Sequence, residues 1–178
     1  PGSNATTTIL GKLTISTGHF LKAGGSLWNL SGTGNVFVEN GTFQEGTSTV
    51  RYSGAGATNV LSTTYYNLDL KAQGSSPTYT ATGLGIIVSN NFTVGGPNAT
   101  TFTLDTNDPA FDVSGQVTID STGTFVGSNS GSFTVSGSWD NNGTFTPSGG
   151  TLTFYGSGSP TIAAGNSSFA NLTINGSG

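Results

Sequence analysis

The chain has 178 residues, of which 29 are Gly, 30 Thr, 23 Ser and 16 Asn, whereas charged residues make up only 7% and the net charge is -4. With no Cys, no Met and one His, a Cys/His zinc site and thiol chemistry are excluded, and four cations (Lys12, Lys22, Arg51, Lys71) against eight acids argue against a nucleic-acid partner. No apolar run approaches the roughly 20 residues of a membrane-spanning helix, and an aromatic share of 10% with recurring Val, Ile and Leu separates the chain from a disordered polar tract.

Pro1 opens the chain without an initiator Met or a signal-peptide pattern, and Asn175-Gly176-Ser177-Gly178 closes it. The sequence therefore reads as a processed or excised piece of a longer protein; a small protein complete after removal of a leader is the alternative. Strict alternation of apolar and polar residues predicts strands at Lys12–Ser16, Thr49–Tyr52, Asn91–Val94, Thr101–Leu104, Gln116–Ile119 and Ser132–Val135. Turn signals fall between them at Gly24-Gly25, Asn40-Gly41, Gly95-Gly96-Pro97, Asn142-Gly143 and Gly149-Gly150. No segment carries helical apolar spacing over ten residues with caps, and no helix is predicted.

The sequence also repeats itself. Leu13-Thr14-Ile15 matches Val117-Thr118-Ile119, Leu30-Ser31-Gly32 matches Val135-Ser136-Gly137, and Asn40-Gly41-Thr42-Phe43 matches Asn142-Gly143-Thr144-Phe145. Thr49–Gly54 matches Thr151–Gly156, Val60 matches Ile162, and Tyr65–Leu70 matches Phe169–Ile174. The offsets stay between 102 and 105 residues, with the small differences falling in turns. Copies at about 9–70 and 113–174 are joined by a bridging stretch at about 71–112.

Short strands, small Gly/Asn turns, scarce charge and apolar strand starts recurring at about Ile9, Leu27, Val50, Tyr79, Phe102, Phe133 and Leu152 predict one continuous solenoid over 1–178, a right-handed parallel β-helix of about seven coils. Inward Val, Ile, Leu and Phe would then stack into ladders, and outward Thr, Ser and Asn would form a polar coat. The alternative is an antiparallel β-sandwich, for which the hairpin-forming Asn-Gly pairs are the best argument.

Residues 137–156 read Gly-Ser-Trp-Asp-Asn-Asn-Gly-Thr-Phe-Thr-Pro-Ser-Gly-Gly-Thr-Leu-Thr-Phe-Tyr-Gly, followed by Ile162 and then Phe169-Ala170-Asn171-Leu172-Thr173-Ile174. This resembles the repeat unit of very large secreted bacterial surface proteins, adhesin-like, with some likeness to filamentous-haemagglutinin β-helices. The first copy departs from that pattern, with Phe37 near the Trp139 position and Gln44-Glu45-Gly46 near Thr146-Pro147-Ser148. The resemblance implies a β-solenoid in an extracellular, cell-surface setting, and it carries no catalytic residue across.

Sites of chemistry are few. His19 lacks a nucleophile motif or a second His and reads as a turn residue. The one acidic cluster offers Asp105, Asn107, Asp108 and Asp112 as oxygen ligands of a calcium loop, although Asn-Asp-Pro is itself a turn signal and the EF-hand glycine and distal Glu are missing. No other cofactor is indicated. Adjacent Tyr65 and Tyr66 must point to opposite faces of a strand, so one of them is a candidate glycan contact. Nine N-x-S/T sequons occur where chance gives about five, with Asn4, Asn40, Asn98, Asn142 and Asn166 the candidate glycosylation sites.

The expectation that follows is a structural, non-enzymatic segment of an extracellular surface fibre or adhesin, able to associate with itself end to end, with no nucleic-acid partner and no membrane insertion. A carbohydrate-binding module on the same scaffold, with surface glycans as partners, is the alternative. An ice-binding solenoid is a further option, raised by Thr101-Phe102-Thr103 and Thr151-Leu152-Thr153, whose irregular spacing argues against a flat threonine array.

Overall fold

Thr, Val, Ile and Phe suit a pleated strand, and Gly and Asn interrupt them every few residues, so this chain can extend only in short runs. The computed structural model describes residues 5–176 and contains strands of two to four residues with, among the described residues, no helix. The first coil holds β1 (Thr6–Ile9), β2 (Leu13–Ile15) and β3 (Phe20–Lys22), and the second β4 (Leu27–Leu30), β5 (Phe37–Glu39) and β6 (Thr42–Gln44). The third holds β7 (Thr49–Tyr52), β8 (Thr58–Val60) and β9 (Thr64–Tyr65), and the fourth β10 (Asn67–Leu70), β11 (Thr78–Ala81) and β12 (Gly85–Val88). The fifth holds β13 (Phe92–Val94), β14 (Thr100–Thr103) and β15 (Ala110–Val113), and the sixth β16 (Val117–Ile119), β17 (Gly123–Val126) and β18 (Phe133–Val135). The seventh holds β19 (Trp139–Asn141), β20 (Thr144–Thr146) and β21 (Thr151–Phe154), and the eighth β22 (Ile162–Ala163) and β23 (Asn171–Ile174).

Strands pair with their equivalents one lap away, and every pairing is parallel. The first face is β1-β4-β7-β10-β13-β16-β19-β22, the second β8-β11-β14-β17-β20, and the third β9-β12-β15-β18-β21-β23. In the first two coils the second and third positions form separate pairs, β2-β5 and β3-β6. The chain is thus a β-solenoid of about eight turns, one more than its apolar strand starts predict, and the antiparallel sandwich is not formed. Thr6 faces Leu27, Leu27 faces Thr49, Thr49 faces Asn67, Leu68 faces Phe92, and Val117 faces Trp139, so a lap takes between 18 and 25 residues.

Period-two alternation sends one side chain in and the next out, and stacking aligns the inward ones. Trp28, Val50, Leu68, Phe92, Val117 and Trp139 form one buried column. Tyr79, Phe102, Phe125 and Phe145 form another, and Tyr65, Val88, Val113, Val135 and Phe154 a third. In the middle coils the columns meet as a cluster of four phenylalanines, Phe92, Phe102, Phe111 and Phe125, whose ring centroids lie 5.1 Å (Phe92–Phe111) to 5.8 Å (Phe102–Phe111) apart. Offset and edge-on ring pairs of this kind add about 0.5–1.5 kcal/mol each beyond burial.

The sequence repeat does not coincide with whole coils. β2 matches β16, β4 matches β18, β6 matches β20, β7 matches β21 and β8 matches β22, each fourteen strands later, and β10 matches β23, one fewer because the eighth coil holds only two strands. With three strands per lap, fourteen strands are four laps and two thirds. Matched strands therefore lie on different faces: β7 is on the first face and its counterpart β21 on the third.

The glycines of the repeat explain its Asn-Gly pairs. Neither Gly41 nor its counterpart Gly143 has positive φ, so neither supplies a hairpin turn. A Cβ on Gly41 would meet the carbonyl oxygens of His19 and Ser16, and one on Gly143 those of Asp120 and Gly123. These positions lack a side chain because the neighbouring coil passes through that space.

Each copy also holds a short lap, Thr49 to Asn67 and Thr151 to Asn171. Where a ladder partner is missing, a side chain replaces it. Glu39 Oε1 accepts the Phe43 N–H at 2.9 Å, and its Oε2 accepts the Thr63 hydroxyl at 2.7 Å. In the second copy Ser167, aligned with Thr63, accepts the Phe145 N–H at 2.9 Å and the amide of Asn141, aligned with Glu39, at 3.1 Å. The first copy adds a buried tyrosine pair, Tyr52 and Tyr65, with hydroxyls 2.9 Å apart; the Leu61 carbonyl accepts from Tyr65 at 2.8 Å, and the Leu61 N–H donates to Tyr52 at 3.2 Å. The matching residues are Phe154 and Phe169.

Burial outweighs these hydrogen bonds and pushes the Tyr52 hydroxyl from 10.0 up to about 12; Tyr65 is raised as well, again chiefly by burial. A folded-state value raised above the unfolded one stabilises fully below pH 10.0 and is lost as pH rises through about 12. Alkaline unfolding is therefore expected in that window. The double variant Tyr52→Phe/Tyr65→Phe is expected to move its midpoint to higher pH by circular dichroism, and an unmoved midpoint contradicts the coupling.

Candidate functional site

Strand and turn place the predicted site residues at separate points of the coil surface. Asp105 through Asp108 make the corner between β14 and β15, with Asp108 held at φ 47°. Its Oδ1 accepts the Ser128 hydroxyl at 2.9 Å and the Asn129 N–H at 2.8 Å, and its Oδ2 accepts the Ser130 hydroxyl at 3.0 Å. Asp105 Oδ1 accepts the Asn129 amide at 3.1 Å, Asn107 donates its amide to the Ala81 carbonyl at 2.7 Å, and Asp112 accepts the Thr134 hydroxyl at 2.5 Å. Asp105, Asp108 and Asp112 thus each accept hydrogen bonds from a neighbouring coil, whereas Asn107 is tied to one through its amide nitrogen. Among the described residues no group of three or more His, Asp or Glu gathers as a metal site.

Asp108 works as a corner clamp. The Asn129 N–H, helped by the Ser128 and Ser130 hydroxyls, holds its carboxyl below the usual value of 3.8. A depressed folded-state value adds stability above pH 3.8 and loses it as pH falls through the lower value. Asp108→Asn is expected to melt below the parent chain at neutral pH, with the gap closing in acid. Melting curves at the two pH values check this, and a gap that persists in acid contradicts it.

The aromatic candidates separate as adjacent strand residues must. Tyr65 is 0% exposed inside the core, which removes it as a glycan contact, and Tyr66 is half-buried at the following corner. His19 is exposed and donates from Nδ1 to the Thr17 carbonyl at 3.2 Å. Of the candidate glycosylation sites, Asn40, Asn142 and Asn166 are exposed. Asn98 donates to the Ala72 carbonyl at 3.1 Å, and the Thr100 hydroxyl of its sequon is buried. Asn4 lies outside the described residues.

The outer faces differ in chemistry. On the first, Arg51 donates to Asp69 at 2.8 Å, with the Lys71 ammonium 3.9 Å away, a partly buried ion cluster. The third carries Ile87, Asp112 and Thr134 outward. The second aligns Thr78, Thr101, Thr124 and Thr144 in one outward column and Thr80, Thr103, Val126 and Thr146 in the next.

The ends of the coil form the other distinctive surface. Leu172 and Ile174 on β23 are 43% and 65% exposed, although their counterparts Leu68 and Leu70 are completely buried beneath Phe92 and Val94 of the next lap. At the opposite end Leu10 and Phe20 are exposed. The residues that the sequence reading missed are Glu39, Thr63, Asn141 and Ser167 at the short laps; their signal was hydrogen-bonding side chains recurring at the repeat offset. Comparison with protein-family models, curated proteins and solved structures finds no match.

Proposed function

We propose that the chain is a non-enzymatic, stiff segment of an extracellular surface fibre or adhesin of the filamentous-haemagglutinin-like kind, and that its ends stack on further copies. The observation that supports this most is the pair Leu172 and Ile174, left open at positions whose counterparts are sealed by another coil. An unpaired parallel edge with apolar residues beneath it is a template for a further strand. A head-to-tail contact of this type does not close on itself, so repetition yields a filament. The laterally bonded coils and continuous core suit a spacer that bears load along its axis. The carbohydrate-binding reading is weaker, because burial of Tyr65 leaves Tyr66 without a neighbouring platform.

Electron microscopy of the concentrated chain is expected to show thin rods that lengthen with concentration. Leu172→Lys/Ile174→Lys is expected to give dispersed particles of monomer length. Dispersed monomers from the parent chain at high concentration, or rods unchanged in the variant, overturn the stacking.

A further inference from the structure

The second lateral face carries chemistry that a mere spacer does not need. Among the described residues, none of its seven threonine hydroxyls has a partner within the chain. No charged side chain points outward from its two columns, whereas Arg51, Asp69 and Asp112 project from the other faces. The columns are set by the backbone: rungs about 4.8 Å apart, and threonines two residues apart about 6.6 Å along the strand. β-Branching stiffens each threonine at χ1. Behind the face lie Tyr79, Phe102, Phe125 and Phe145, packed too densely to let it flex.

We propose that this face binds ice. A rigid grid of hydroxyls that already bond to one another, or that surround an ion, has no capacity left for ordered water. This grid has every hydroxyl free, a methyl beside each one, and no charge to hold a hydration shell of its own. Its rung spacing lies close to the repeat of oxygens in the ice lattice, so water ordered over it can merge with a growing crystal. A crystalline polysaccharide, the other flat repetitive ligand, is recognised by stacking on aromatic rings, and the rings of this face point inward. The sequence conceals the array because its rungs are separated by laps of unequal length; Thr101-Phe102-Thr103 stacks on Thr78-Tyr79-Thr80 and not on Thr151-Leu152-Thr153, which belongs to the third face. The proposal is independent of end stacking.

The test observes ice crystals growing in a solution of the whole chain, alongside recrystallisation of frozen droplets. The parent chain is expected to facet the crystals and hold the grains small. Thr101→Lys/Thr103→Lys is expected to lose both effects, and Thr153→Lys on the third face to keep them, with circular dichroism showing both variants folded. Unfaceted crystals and coarsening grains with the parent chain overturn the proposal. Equal loss in both variants, or retention in Thr101→Lys/Thr103→Lys, also overturns it by placing any effect elsewhere.

Discussion

Phe125→Ala is expected to cost about 3–5 kcal/mol, the usual range for truncating a phenylalanine in a close-packed core. Phe125 is completely buried, and its ring centroid lies 5.3 Å from that of Phe92, 5.4 Å from Phe102, 5.4 Å from Phe133 and 5.7 Å from Phe145. The four neighbours belong to four different strands, β13, β14 and β18 hydrogen-bonded to the laps on either side and β20 to β17, so they cannot close over the space left behind. In a stack where each lap touches only its neighbours, weakening a central interface also divides cooperativity. Denaturant unfolding followed by circular dichroism is therefore expected to shift to lower denaturant and to broaden or split. Val126→Ala, one residue on and facing outward, is the control, expected to change little. A loss below about 1 kcal/mol for Phe125→Ala contradicts a rigid stacked core.

Gly143→Ala is the second large effect, and its sign is the informative part. At an ordinary backbone conformation, Gly→Ala stabilises a protein by about 0.4–1 kcal/mol through the unfolded chain. Gly143 has no positive φ, so that gain would apply if nothing stood in the way. The new Cβ would however meet the carbonyl oxygens of Asp120 and Gly123 in the coil beneath, and a backbone atom held in a ladder cannot swing aside. The expected result is a loss of about 1–3 kcal/mol, as for overpacking in general. Gly41→Ala is expected to behave alike, against the carbonyls of His19 and Ser16. Gly158, with open space where its Cβ would lie, is the counter-example, and Gly158→Ala is expected to be neutral or slightly stabilising. Thermal melts of the three variants separate these signs; stabilisation by Gly143→Ala contradicts the close passage of coils.

Alternation at Thr49–Tyr52, Asn91–Val94 and Ser132–Val135 was legible because period two survives in strands as short as three residues. The number of laps was harder to read. Starts at Ile9, Leu27 and Val50 lie on the first face, those at Tyr79 and Phe102 on the second, and those at Phe133 and Leu152 on the third. Each change of face skipped one strand too many, so eight laps read as seven. The same drift hides inside the 102–105 residue repeat, which advances four laps and two thirds. Asn40-Gly41 and Asn142-Gly143 looked like hairpin turns because composition reports a missing side chain without saying which neighbour excludes it. The acids from Asp105 to Asp112 are close in sequence, yet Asp112 lies on a strand and Asp108 at a corner, each claimed by hydroxyls of the next lap. Proximity along the chain does not bring ligands together when the coil spends one residue inward for each one outward.

Distances along the axis test the winding itself, and the absence of Cys makes spin labels simple to place. Thr8 stacks through Asn29, Arg51 and Asp69 to Thr93, four rungs on, and Ala163 lies seven rungs from Thr8. Pulsed electron resonance on the cysteine pairs Thr8→Cys/Thr93→Cys and Thr8→Cys/Ala163→Cys is expected to give narrow backbone separations of about 19 Å and about 34 Å, in proportion to rungs at about 4.8 Å each. Broad distributions, or two separations out of that proportion, would contradict a chain wound lap upon lap.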